Sequence, residues 1–287
     1  SKQITIPIVD DLTSEPPETL EVTLASVSGA ILGMPNPHTY TIHDNDGVPT
    51  IFFNNPSSNG PENNNATIPV SLSHDSASTI TVQYQFSEGT AKANDDFTSA
   101  SGTLVFPPAS SPQNLEVLIN NDNIYEGPEN FSIQLINPQN GQLDEGNKIH
   151  TYGIIDDETQ PSVRFDQPTS TVDESTTSTS VLVTLSGPSA QTVSVDYNLN
   201  GGTATKNEDY TLTTGTLQFN PLQTTKLIPI NPINDDIHET TETLNLLLSN
   251  PIGAGINQGN HTTQIKDDDP EPTISFLYNP GISNSET

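Results

Sequence analysis

Apolar and polar residues alternate with a period of two along much of the chain. In residues 48–158 the alternation appears in four segments, at Ile68–Leu72, Ile80–Phe86, Leu115–Ile119 and Phe131–Leu135. In residues 160–269 it returns at Val181–Leu185, Val193–Leu199 and Leu244–Leu248. This alternation is typical of strands with one buried face, and no stretch shows a convincing amphipathic helix. Because Pro, Gly, Asn and Asp separate the segments, the pattern predicts all-β domains joined by turns.

Several markers recur at a fixed distance along the chain. Acidic clusters that follow an apolar strand begin at Asp44, Asp156 and Asp267, spaced 112 and 111 residues apart. The pattern Asp-x-(Leu/Ile) followed by Glu-x-x-Glu occupies residues 10–18, 122–129 and 235–242. An early Glu recurs every 112 residues, at Glu62, Glu174 and Glu286. Together these markers define a tandem repeat.

The repeat divides the chain into four parts. Residues 48–158 and 160–269 are predicted to be whole domains, residues 1–46 match only the C-terminal part of a unit, and residues 270–287 match only the N-terminal part. About seven short strands in a unit of roughly 110 residues are typical of an immunoglobulin-like sandwich. The linkers are short and contain Pro49 and Pro161, so we expect an extended rod. The simplest interpretation is that this sequence is a segment of a longer array of repeats.

The charge excludes several classes of partner. The 287 residues include 7 Lys and Arg against 36 Asp and Glu, which gives a formal net charge of −29. Such a chain lacks the basic face that binds nucleic acid or an anionic membrane. With no Cys it forms no disulfide or thiolate metal site. No apolar run approaches the roughly 20 residues of a membrane span, so we expect no membrane insertion in this segment.

The positions of the acidic residues indicate a cation site. The matched carboxylates fall at strand ends and in loops, and the loops of a sandwich gather at its two ends. Two like charges about 4 Å apart near a protein surface repel by roughly 4 kcal/mol, and the few basic residues cannot neutralise so many acids. This repulsion is relieved in one of three ways: the loops splay apart, the pKa values of the carboxyl groups rise, or cations bind. Oxygen ligands in flexible loops favour Ca²⁺ over Mg²⁺ or a transition metal.

The order of the markers resembles the Calx-β domain, a tandem module of sodium/calcium exchangers and of long bacterial surface proteins. The early Glu is followed by Gly-Thr-Ala at residues 89–91 and 202–204, and then by Asp-aromatic-Thr at 96–98 and 209–211. Gly-Thr-Leu-x-Phe follows at 102–106 and 215–219, and each unit ends on acidic residues. The resemblance covers nearly the whole chain. It implies a seven-stranded sandwich that binds Ca²⁺ at the end nearest the next domain.

The resemblance also implies which residues are ligands. In the later whole unit they are Glu174, Asp209, Asp235, Asp236, Glu239, Glu242, Asp267, Asp268 and Asp269, with the carbonyl of Ile237. In the earlier unit they are Glu62, Asp96, Asp122, Glu126, Glu129, Asp156, Asp157 and Glu158, with the carbonyl of Ile124. In residues 1–46 the candidates are Asp10, Asp11, Glu15, Glu18, Asp44 and Asp46. Residues 1–46 include neither the early Glu nor the loop Asp, so their site cannot be judged complete from this sequence.

We interpret the segment as structural or adhesive, with Ca²⁺ stiffening the domain junctions of a stalk, adhesin or filament. The expected partners are neighbouring repeats of the same chain and other copies in a filament or surface layer. The absence of Cys favours an extracellular or cell-surface location in a bacterium. The alternative is a calcium-sensing regulatory module attached to an enzyme or transporter. A third class is a stalk that carries a ligand-binding tip.

Two simpler interpretations of the acidic residues remain. A halophile-like surface would scatter acids along exposed strand faces, whereas here they cluster at matched loop positions. A pair of catalytic carboxylates is conceivable, but the same set recurs in each unit, so we expect no enzymatic activity.

The sequence His74-Asp75-Ser76 contains the residue types of a catalytic triad, but adjacency in a loop is not triad geometry and favours a polar turn.

Overall fold

A computed structural model describes residues 1–276, and its regular elements across that range are all β-strands. None of the described residues forms a helix long and apolar enough to cross a membrane. Residues 277–287, including Glu286 and most of the predicted last unit, lie outside the described residues. The chain divides into two compact units. The first contains residues 1–122 and 127–157, and the second contains residues 123–126 and the chain from Glu158 onward.

The first unit begins with a two-stranded antiparallel sheet and continues into a sandwich. The small sheet pairs β1 (Glu18–Val22) with β2 (His38–Ile42). One sheet of the sandwich has the order β10-β3-β5-β8, from β3 (Thr50–Phe53), β5 (Ala66–Leu72), β8 (Gln113–Val117) and β10 (Gln142–Leu143). The other has the order β4-β11-β9-β6-β7, from β4 (Ser57–Pro61), β6 (Ile80–Glu88), β7 (Gly102–Phe106), β9 (Glu129–Gln139) and β11 (Ile149–Ile155).

The second unit repeats this sandwich. One sheet has the order β16-β18-β14-β12-β20, from β12 (Ser162–Phe165), β14 (Thr179–Leu185), β16 (Tyr210–Thr211), β18 (Thr225–Pro232) and β20 (Gly255–Ile256). The other has the order β13-β21-β19-β15-β17, from β13 (Thr169–Asp173), β15 (Val193–Gly202), β17 (Gly215–Phe219), β19 (Glu242–Ile252) and β21 (Asn260–Lys266). The prediction of all-β sandwiches is confirmed.

The first strand of each sandwich is split between the two sheets. In the first unit β3 pairs with β5 in one sheet, whereas β4 runs parallel to β11 in the other. In the second unit β12 pairs with β14, and β13 runs parallel to β21. Pro56 and Pro168 stand at the two breaks, where a residue without an N–H ends a strand readily. The split, together with the short strands β10, β16 and β20, gives nine and ten strands in the two described sandwiches, more than the predicted seven.

The alternating apolar residues fill the space between the sheets. In the first unit Phe97 and Phe131 are fully buried and their rings stack with centroids 4.1 Å apart. In the second unit Val183, Phe219 and Leu246 are fully buried at the centre of the core. Each fully buried side chain of this size contributes roughly 1.5–3 kcal/mol through removal from water. These cores fix the strand ends from which the acidic loops emerge.

Candidate metal centre

Parallel pairing brings two acidic segments of the second unit together. Strands β13 and β21 run side by side and end at the same place, where Asp173 lies opposite Lys266. The N–H of Glu174 donates to the carbonyl of Lys266 at 2.9 Å, which extends the pairing by one step. The next residue after β21 is Asp267. The early Glu and the terminal acidic cluster therefore lie side by side where these two strands end, although they are almost 100 residues apart in sequence.

The first carboxylate group of the second unit is formed there. Glu174, Asp267 and Asp269 each offer an oxygen, and these oxygens lie within 4.8 Å of one another. The side chain of Glu174 is only 6% exposed. Within the described residues, Glu174 Oε1 and Asp269 Oδ2 are buried and accept no hydrogen bond. Buried carboxylate oxygens without a donor are strongly unfavourable, so this arrangement requires a proton or a cation.

The electrostatics of the group agree with that requirement. Burial, followed by the charges of Asp267 and Asp269, raises the pKa of Glu174 to about 7. Burial and the charge of Asp267 also raise the pKa of Asp269. Burial acts in the same direction on Asp267, but N–H groups of Asp269 and Glu239 donate to its carboxylate and lower its pKa overall. Asp267 is thus held as an anion, whereas Glu174 and Asp269 resist ionisation.

The second group lies on the adjacent loops. Asp209 stands in the loop between β15 and β16, and Glu242 opens β19. Strand β15 pairs with β19, and the N–H of Ala204 donates to the carbonyl of Thr243 at 3.0 Å, which places the loop beside the start of β19. Oxygens of Asp209, Glu239 and Glu242 lie within 4.8 Å of one another.

The second carboxylate group also lacks enough hydrogen-bond donors. Among the described residues, Glu242 Oε2 is buried and accepts no hydrogen bond. Burial, a hydrogen bond to Asp209 and the charges of Asp209 and Glu239 raise the pKa of Glu242 to about 7. Burial and the charge of Asp209 raise the pKa of Glu239 as well. Without a cation, therefore, Glu242 is protonated in part at neutral pH.

The earlier repeat contains two corresponding groups. Glu62, Asp122 and Glu158 form one, and Asp96, Glu126 and Glu129 form the other, again with oxygens within 4.8 Å. Glu62 is 4% exposed and follows β4 as Glu174 follows β13. Its N–H donates to the carbonyl of Ile155 at 3.0 Å, as in the later repeat. The early Glu is therefore placed in the same way in both repeats, although Asp122, the match of Asp235, belongs to the earlier group where the later group has Asp267.

The other predicted ligands of the two repeats lie around these groups. Asp156 Oδ2 accepts the N–H of Gly127 at 2.7 Å, and Asp157 Oδ2 accepts a bond from Asn63 at 2.7 Å. Asp235 Oδ1 accepts the N–H of Ile237 at 2.7 Å. Outside the tight groups stand Asp156, Asp157, Asp235, Asp236 and Asp268, together with Ile124 and Ile237. Their role as ligands stays a prediction.

The acids of residues 1–46 gather without forming such a group. Asp10, Asp11, Glu15, Glu18, Asp44 and Asp46 all line one pocket. Asp44 Oδ2 accepts the N–H of Glu15 at 2.9 Å, and that bond lowers the pKa of Asp44. Within the described part of the chain, no three of these acids bring oxygens within 4.8 Å of one another. The fragment has no counterpart of Glu62 or Asp96, which supply one member to each group elsewhere.

One contact of the site was not predicted from the sequence. His238 Nδ1 lies 2.6 Å from Asp267 Oδ2 and 3.0 Å from the carbonyl oxygen of Asp269. These contacts, led by the Asp269 carbonyl, raise the pKa of His238. The matched positions in the other repeats hold Ser14 and Tyr125, so the repeat pattern gave no signal for this histidine.

Animal ion exchangers are among the proteins to which the chain is similar. It is 29% identical over 232 residues to sodium/calcium exchanger 1 of Cavia porcellus, which covers 73% of this chain and 24% of the exchanger. It is 28% identical over 170 residues to the sodium/calcium exchanger Calx of Drosophila melanogaster, which covers 59% of this chain and 18% of that protein. The chain thus spans about a quarter or less of these two relatives.

Two solved structures are also among the proteins to which the chain is similar. The crystal structure of CBD12 from CALX1.2 has 22% sequence identity and a TM-score of 0.38, and the match covers 76% of this chain and 99% of that one. The crystal structure of calcium binding domain CBD12 of CALX1.1 has 21% identity and a TM-score of 0.38, covering 75% and 99%.

The expectation of an extracellular or cell-surface location in a bacterium is wrong. The curated relatives that the chain matches are sodium/calcium exchangers of animals, among them those of Cavia porcellus, Drosophila melanogaster and Mus musculus. The expectation rested on the absence of Cys. That absence does not discriminate, because proteins that fold where thiols stay reduced also lack disulfides.

The family-level resemblance is confirmed by a direct match. The model of the Calx-beta domain matches residues 1–46, 44–158 and 156–269, which together include most of the chain. The match falls on both sandwiches and on the N-terminal fragment with its two-stranded sheet. The chain therefore belongs to the Calx-beta domain family, of which it contains a tandem series.

Proposed function

We propose that this segment binds Ca²⁺ and regulates an enzyme or transporter to which it is attached. The observation that carries the proposal is the pair of carboxylate groups in each sandwich, with buried oxygens of Glu174 and Glu242 that accept no hydrogen bond from the described residues. The curated relatives are sodium/calcium exchangers, which supports the regulatory alternative over a stalk, adhesin or filament.

The donor set fits a calcium ion. The ligands available to each group are carboxylate oxygens on loops and strand ends, and Ca²⁺ takes six to eight oxygens in flexible geometry. Zn²⁺ prefers nitrogen and sulfur ligands, and Mg²⁺ demands a near-ideal octahedron. When bound, the ion supplies positive charge that satisfies oxygens for which the protein provides no donor.

The chain's own residues then determine what binding does. Glu174 and Glu242, with pKa values raised to about 7, give up their protons, and Asp267 is already oriented by backbone N–H groups. Because binding favours the folded loops, it stabilises them by mass action. We infer that an attached domain responds to the ordering of these loops. The segment then acts by binding rather than by catalysis.

Calorimetric titration of the whole chain with Ca²⁺ tests this function. We expect binding with a dissociation constant of about 10⁻⁷–10⁻⁵ M, the range of calcium sensors, rather than about 10⁻⁴–10⁻³ M, the range of extracellular modules. Glu174→Gln is expected to remove at least one binding step. Asp173→Asn is the matched control, because it removes one charge from the neighbouring exposed residue. The proposal fails if no heat appears, or if both variants bind as the parent does.

A further inference from the structure

The imidazole of His238 contacts the first carboxylate group of the second sandwich. Its Nδ1 atom lies 2.6 Å from Asp267 Oδ2 and 3.0 Å from the carbonyl oxygen of Asp269, and all three residues belong to the second compact unit. Both partners are acceptors, so Nδ1 carries a hydrogen and donates it to them. The neutral ring with this hydrogen and the charged ring make the same contacts, because Nδ1 carries a hydrogen in both.

The carboxylate of Asp267 is engaged on both of its oxygens. Its side chain is 7% exposed, whereas that of His238 is 34% exposed. Oδ1 accepts the N–H of Asp269 at 3.2 Å, and Oδ2 accepts the N–H of Glu239 at 3.1 Å in addition to the bond from His238. A carboxylate has about four acceptor sites, two on each oxygen. The site that these bonds leave is therefore on Oδ1.

The two neighbours of Asp267 in the group supply the independent evidence for a ligand. Glu174 is 6% exposed, and among the described residues Glu174 Oε1 and Asp269 Oδ2 are buried and accept no hydrogen bond. A cation that satisfies these oxygens also needs Asp267 beside them. A carboxylate that is already oriented loses less conformational entropy on binding than one that rotates freely, so whatever orients Asp267 favours binding.

The donors to Asp267 come from two different segments of the chain. The N–H of Asp269 lies two residues further along the same terminal cluster, so it orients the carboxylate only relative to its own segment. The N–H of Glu239 and the imidazole of His238 come from the loop before β19, almost 30 residues earlier. His238 is therefore a side chain that ties the terminal acidic cluster to that loop.

We propose that His238 is a positioning residue for the cation site of the second sandwich, a step that rests on the proposed function. It holds Asp267 through Oδ2 and leaves Oδ1 for the cation. The imidazole is not itself a ligand, because within the described residues it is not a member of the group whose ligand atoms lie within 4.8 Å of one another. The matched positions hold Ser14 and Tyr125, so the imidazole donor distinguishes this repeat from the other two.

Two substitutions of His238 separate its donor from its ring. His238→Phe removes the donor and keeps an aromatic ring, whereas His238→Asn keeps a short side chain with an N–H donor. The whole chain is titrated with Ca²⁺, and the backbone amide NMR signals of Glu174 and Asp269 report on this group. We expect His238→Phe to raise the calcium concentration at half-saturation about 10–100-fold, the usual effect of losing a residue that orients a metal ligand. His238→Asn is expected to stay close to the parent.

The Nδ1 hydrogen of His238 distinguishes positioning from competition with the cation. In isotope-labelled parent protein, a hydrogen held between Nδ1 and Asp267 gives a proton signal of its own. We expect this signal to persist when Ca²⁺ is added, because the imidazole and the cation use different oxygens of the carboxylate. Loss of the signal on calcium binding would mean that the ion displaces the imidazole, and it would overturn the inference.

The remaining outcomes separate the role of His238 from the proposed function. Calcium binding that is equal in the parent and in His238→Phe overturns the positioning role and leaves the proposed function intact. An equal loss in His238→Phe and His238→Asn also overturns it, because the ring would then act through packing. If His238→Phe fails to fold, the Asn variant and the Nδ1 signal of the parent still decide. Absence of calcium binding in the parent overturns the proposed function and this inference together.

Discussion

Replacing Glu174 by Gln is expected to change stability in opposite directions with and without calcium. Glu174 is buried, and one of its oxygens accepts no hydrogen bond from the described residues. The substitution removes a negative charge beside Asp267 and Asp269 and adds an N–H donor among acceptors. In calcium-free protein it therefore relieves repulsion and stabilises the fold, whereas in calcium it removes a ligand and destabilises it.

The pKa of Glu174 gives the magnitude. It rises from 4.5 to about 7 on folding. Because the folded pKa is the higher one, the stability linked to this proton is fully present below pH 4.5 and is lost as the pH rises through about 7. At about 1.4 kcal/mol per pKa unit, the loss at pH 8 is at most about 3 kcal/mol. Screening reduces this value, so we expect Glu174→Gln to recover about 1–2 kcal/mol.

Thermal unfolding at pH 8, with chelator or with saturating Ca²⁺, is the assay. About 1 kcal/mol shifts the melting temperature of a domain of this size by roughly 4–8 °C. We expect a rise of several degrees for Glu174→Gln in chelator and a fall of similar size in Ca²⁺, with little change for the matched control Asp173→Asn. A shift of the same sign in both conditions would refute the reasoning, because the substitution would then act through packing alone.

Two further predictions concern residues away from the carboxylate groups. Burial lowers the pKa of His261 below 6.5, so its contribution to stability is present above pH 6.5 and is lost as the pH falls. His261→Gln is therefore expected to reduce the loss of melting temperature between pH 7 and 5, and an unchanged loss would contradict this. A Cβ on Gly202 would lie 2.1 Å from a backbone carbonyl oxygen, and its φ is +123°. We therefore expect Gly202→Ala to lower the melting temperature of the second sandwich by roughly 10 °C or more, while Gly187→Ala, with open space around it, has no such effect; equal melting of the two glycine variants would contradict this.

The sequence predicted the strands well, because the alternation of apolar and polar residues is a local pattern. Ile68 and Val70 alternate with polar neighbours and are buried in β5 as expected. Glu174 and Asp267 were predicted as ligands from their recurrence at matched positions. The division of the carboxylates into two groups per sandwich was not predicted, because it depends on the parallel register of β13 and β21, which joins residues almost 100 positions apart.

Contacts made by the backbone were also invisible in the sequence. The bond from the N–H of Glu174 to the carbonyl of Lys266 depends on N–H and carbonyl groups that every residue carries, apart from the N–H that proline lacks. The split of the first strand has a visible signal in Pro56 and Pro168, but a proline alone does not reveal that the two halves enter different sheets.

The split first strand also determines how a repeat resists a pulling force. Strand β13, the second half of the split first strand, lies beside β21, the last strand, and the two run parallel over five residue pairs from Thr169 to Asp173. Tension applied to the two ends of the repeat slides one strand along the other and loads their evenly spaced bonds together. Such a shear arrangement ruptures at higher force than a hairpin that opens one bond at a time, so the pairing of β13 with β21 resists tension applied to the two ends of the second sandwich.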